Sequence, residues 1–122
     1  MKIKNIKFKA KQLNSGKWFE GDLVRLGNRV CIGGDHIKDG ITDVDPSTVC
    51  MFTGLKDCEG NEIWEGDIIS SPHFERVATV KWDDSLCGFK CLDVTGNINF
   101  SFTAIAHCSE WSIVGNKFDK KK

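Results

Sequence analysis

Along Ile6-Lys7-Phe8-Lys9-Ala10-Lys11-Gln12-Leu13 apolar and polar positions alternate, the period-2 pattern of a half-buried strand. Asn14-Ser15-Gly16-Lys17 has turn composition. Trp18-Phe19 begins a second extended segment, which Gly21-Asp22 interrupts and Leu23-Val24-Arg25-Leu26 continues. Gly27-Asn28 predicts a tight hairpin, with Arg29-Val30-Cys31-Ile32 pairing back. Residues 33–47, with three Gly, four Asp and Pro46, read as an irregular loop. Ser47 to Phe52 is an apolar extended run, and a turn centres on Glu59-Gly60. Glu62-Ile63-Trp64 and Asp67-Ile68-Ile69-Ser70 flank a second Gly-Asp pair, and Pro72 closes that strand. Arg76–Trp82 predicts a strand with Ala78, Val80 and Trp82 on one face. Phe89–Val94 is its expected partner, Ile98–Phe102 a further strand and Glu110–Val114 the last. Residues 103–108 fit either a strand or one helical turn.

Turn signals recurring every 8–15 residues imply a mainly β fold. The expectation is a small barrel or sandwich of short antiparallel strands with at most one short helix. The 122 residues suit a single domain, 1–122. Eight Phe and four Trp supply its core.

Charge changes this picture at the ends. Net charge is zero, yet residues 1–17 carry six Lys and no acid, and residues 117–122 four Lys against Asp119. The ends sum to +9 and residues 18–116 to −9. Residues 1–5 and 117–122 therefore read as basic flexible ends on an acidic body. Such ends keep a protein soluble or hold phosphates; the acidic body, which repels a phosphate backbone, favours the first. No apolar run approaches the roughly 20 residues that span a bilayer. None follows the N-terminal lysines either, so a signal peptide is not expected and the cytoplasm is the expected compartment.

The chain repeats one element. Phe19-Glu20-Gly21-Asp22-Leu23-Val24 and Trp64-Glu65-Gly66-Asp67-Ile68-Ile69 match in kind at an offset of 45 residues. Gly21 and Gly66 suit a positive φ or a close chain approach, as at a bulge or sharp turn. Asp22 and Asp67 suit turn-fixing acceptors of downstream N–H groups. Together the copies would frame two equivalent strand entries. The catalytic or cation-binding alternative for Glu20, Asp22, Glu65 and Asp67 lacks a positioned partner and a set of convergent oxygens.

Other candidate chemistry is thin. The cysteines at 31, 50, 58, 87, 91 and 108 include no Cys-x-x-Cys pair and read as free, buried or incidental thiols in a reducing compartment. His36, His73 and His107 lie in different segments, with no nucleophile turn nearby. Gly33-Gly34 lacks the Lys and the spacing of a phosphate loop. No catalytic, cofactor-binding or metal residue is assigned.

Residues 52–69, Phe-Thr-Gly-Leu-Lys-Asp-Cys-Glu-Gly-Asn-Glu-Ile-Trp-Glu-Gly-Asp-Ile-Ile, resemble the signature of the YopX family of phage and prophage proteins. Phe52, Thr53, Gly54, Leu55, Asp57, Gly60 and Trp64 carry the resemblance. Trp18–Leu23, Asp45–Val49, Val80–Asp83 with Gly88-Phe89, and Ile113–Asn116 resemble its flanks, so it covers about residues 6–118. Trp64 stands where Tyr is more usual, and Cys58 sits in a turn usually filled by polar residues. The resemblance implies a β-rich protein made in a bacterial host, with no family activity or catalytic residue to carry over. The expected function is a phage accessory protein that is not an enzyme: a protein-binding or self-assembling module with a protein partner or a second copy. A nucleic-acid-binding β-barrel module is the alternative, and no membrane is expected.

Overall fold

The computed structural model describes residues 2–71, 74–93, 99–101 and 111–119. Pro72, His73, His107, Cys108 and the segment 103–108 lie outside them. The chain forms two compact units, Met1–Phe52 and Thr53–Lys122, a finer division than the single domain expected from length.

In the first unit the strands are β1 (Phe8–Lys11), β2 (Trp18–Leu26), β3 (Arg29–Gly33), β4 (Ile41–Asp43) and β5 (Cys50–Lys56), which runs on into the second unit. Their order is β4-β3-β2-β1-β5, and the sheet continues to β6 (Glu62–Trp64). β1 pairs antiparallel with β2 and with β5, while β2-β3 and β3-β4 are antiparallel hairpin-like pairs. The period-2 reading of β1 holds: Phe8 and Ala10 join Ile32, Ile37, Val44, Phe19, Leu23, Val30 and Val49 in one core cluster. Its lysines stay on the other side. Lys7 Nζ lies 4.8 Å from the Phe52 ring centroid, and Lys9 and Lys11 Nζ lie 4.8 and 5.4 Å from that of Trp18. Gly27-Asn28 makes the expected two-residue turn between Leu26 and Arg29.

Three expectations for this unit are corrected. Glu20-Gly21-Asp22 is no turn: it lies inside the continuous strand β2. Residues 33–47 are not an irregular loop. They hold β4, the 3-10 turn Lys38–Gly40 and the start of another, Pro46–Thr48, and bury Ile37 and Val44. β4 is only three residues long among Gly and Asp, and pairing with β3 rather than periodicity makes it a strand. Residues 1–5 are not wholly irregular, since Ile3–Asn5 forms a 3-10 turn, while Lys9 and Lys11 stand on β1 as the alternation predicts.

In the second unit β7 (Asp67–Ser71), β8 (Phe74–Asp83), β9 (Gly88–Asp93), β10 (Asn99–Ser101) and β11 (Ser112–Asn116) form an antiparallel sheet of order β10-β9-β8-β7-β11. Ile63, Ile69, Ala78, Val80, Cys91 and Trp111 make its core, with Leu55, Phe89 and Ile113 packed against them. The fold is mainly β with short antiparallel strands, as expected, and neither sheet closes into a barrel among the described residues.

The two Glu-Gly-Asp copies use glycine for different reasons. At Gly21, β2 leaves β1 (Phe8↔Gly21) and meets β3 (Asp22↔Gly33). A Cβ added there would collide with the Gly33 carbonyl oxygen, a backbone atom that cannot step aside. Gly66 instead has φ +90 between β6 and β7, a region that L side chains rarely adopt. The copies are thus not equivalent strand entries. Gly21→Ala should destabilise by more than about 1 kcal/mol, with Asn at that position at least as costly as Ala. At Gly66, Asn should cost less than Ala because it tolerates positive φ better. Denaturant unfolding of the four variants checks this, and equal Asn–Ala ordering at both sites refutes it.

Candidate functional site

The first unit carries an open groove of about 690 Å³ lined by Ile3, Lys4, Ile6, Lys7, Trp18, Phe19, Glu20, Gly21, Asp22 and His36. β2 forms its floor. The 3-10 turn Ile3–Asn5 stands on one side, closed by Asn5 N–H donating to Lys2 O (3.0 Å) and Ile6 N–H to Ile3 O (2.9 Å). Lys7 Nζ pairs with Glu20 Oε1 at 3.2 Å, half in solvent, a contact worth little to stability. His36 Nε2 sits 2.6 Å from the Glu20 carbonyl oxygen and so donates to it.

The four sequence-nominated carboxylates fall in different units. Glu20 and Asp22 line the groove in the first unit, and Glu65 and Asp67 belong to the second. Asp22 is exposed and fixes no turn, contrary to expectation. Asp67 does, but from the upstream side rather than the downstream one expected: it is 4% exposed, and its Oδ2 accepts from Trp64 N–H at 2.7 Å. Its Oδ1 accepts from Asn116 Nδ2 at 3.0 Å, and Asn116 Oδ1 in turn accepts from Phe118 N–H at 2.8 Å. Among the described residues no three His, Cys, Asp or Glu side chains gather as a metal would require.

The residues of the 52–69 signature are each held by a structural task. Phe52 is buried under Lys7. Thr53 Oγ1 donates to Ile63 O at 2.6 Å and accepts from Leu55 N–H at 3.2 Å, tying β5 to β6. Leu55 packs on the second core, and Trp64 is buried. Gly54 and Gly60 both have φ +86. Asp57 Oδ1 accepts from Glu59 N–H (2.9 Å) and Asn61 N–H (2.8 Å), which shapes the expected turn. Asp57 Oδ2 accepts from Ile113 N–H at 3.2 Å, and Cys58 N–H donates to Trp111 O, so the turn is fastened to β11. Burial pushes the Asp57 carboxyl up, but the N–H donors of Asn61, Ile113 and Glu59 outweigh it and hold its pKa below the ordinary value.

This web of backbone-fixing residues is the sequence's most specific feature, and residues 7–121 match the family model described as YopX protein. The chain belongs to the YopX family. No curated protein matches it. The YopX match runs across both units and takes in the groove from Lys7 onward together with the signature turn. Among the described residues no helix is long and apolar enough to cross a membrane.

Sequence reasoning nominated Glu20, Gly21 and Asp22 but missed Ile3, Lys4, Ile6 and His36 as groove residues. The available signal was isoleucine spaced among lysines at residues 3–6, of which Ile3 and Lys4 read as part of a flexible end and Ile6 as the start of the first strand.

The thiols divide as well. Cys31, Cys50 and Cys91 are fully buried, whereas Cys58 and Cys87 are exposed. Burial and the Asp43 carboxylate, which accepts from Cys31 Sγ at 3.0 Å, push the Cys31 thiol up. Burial alone pushes Cys91 up to about 12.

Two outcomes are expected. Because the folded-state pKa of Asp57 is lowered, its contribution is present above the unfolded value near 3.8 and is lost as pH falls below it. Asp57→Asn should cost about 1–3 kcal/mol at neutral pH and show a shallower acid limb in urea titrations; an unchanged acid limb refutes the assignment. For the thiols, brief alkylation of the native protein followed by peptide mass spectrometry should modify Cys58 and Cys87 and leave Cys31, Cys50 and Cys91 untouched. Early modification of Cys91 would contradict its burial.

Proposed function

We propose that this YopX-family chain is a phage- or prophage-encoded accessory protein that works in the cytoplasm of the bacterial host as a non-catalytic protein-binding module. The groove of the first unit is its docking surface. One observation carries the reading: the ordered turn Ile3–Asn5 presents Ile3 (84% exposed) and Ile6 (45%) to solvent beside the groove. Apolar side chains held in the open beside a cleft suit a protein partner. The carboxylates support the same reading, since Glu20 pairs with Lys7 and Asp67 is occupied by N–H donors, leaving neither as a poised acid or base. The nucleic-acid alternative draws less support from the N-terminal lysines now that Lys9 and Lys11 rest on the Trp18 ring.

The test is a pull-down of tagged protein from prophage-induced host cells, with and without nuclease, beside an Ile6→Glu variant. Protein capture that survives nuclease and is lost in the variant is the expected result. Capture abolished by nuclease would overturn the reading in favour of nucleic acid.

A further inference from the structure

We draw no further inference here: the strongest candidate, the open groove of the first unit with Ile3 and Ile6 exposed beside it, belongs to the site already described, and nothing in the structure shows what covers it.

Discussion

The second unit depends on one requirement: buried backbone donors must find acceptors. Asp67 and Asp57 meet it with carboxylates taken out of water. Asp67 collects the Trp64 amide and the Asn116 side chain, so the sharp passage from β6 to β7 and the end of β11 share one acceptor residue. Asp57 collects the amides of its own turn and that of Ile113. Removing either would leave buried N–H groups unsatisfied, a larger loss than a surface ion pair could repair. The apolar cluster of Ile63, Ile69, Val80 and Trp111 then packs on a backbone already positioned by these bonds.

The strands β1, β8 and β9 were legible because alternation and turn residues point the same way at Phe8–Lys11, Arg76–Trp82 and Phe89–Asp93. The turn at Glu59-Gly60 was legible for the same reason. The two Glu-Gly-Asp copies show where such reading ends. Both need glycine, but a collision with a carbonyl 12 positions away at Gly33 is a tertiary fact, whereas φ +90 at Gly66 is a local one. Identical triplets cannot report which applies. β4 escaped notice because three residues are too few to show a period, and its partner, not its own composition, makes it a strand.

The groove was half legible. Glu20 and Asp22 attracted attention as carboxylates, but their company is set by chain reversal: the turn Ile3–Asn5 and His36 come to β2 from opposite directions in sequence. The YopX signature residues fix backbone and core in and around the second unit, and the groove with the exposed Ile3 and Ile6 lies on the first.

The bonds that complete the second unit also order events in time. Asp57 reaches Ile113 across 56 positions and Asp67 reaches Asn116 across 49. During synthesis, β7 has no β11 beside it until residues 112–116 have been made. Until then the unit holds an unpaired strand edge and an uncapped turn. Loop closure over such separations is slow, and nascent chains with open edges are prone to stick to one another. In the first unit the β1–β2 and β2–β3 pairings join neighbours in sequence, and β1 waits only for β5, whose Met51 lies opposite Phe8. Each unit thus holds a strand edge that waits for a distant partner, β1 for β5 and β7 for β11, and the second wait ends only with the last of the described strands.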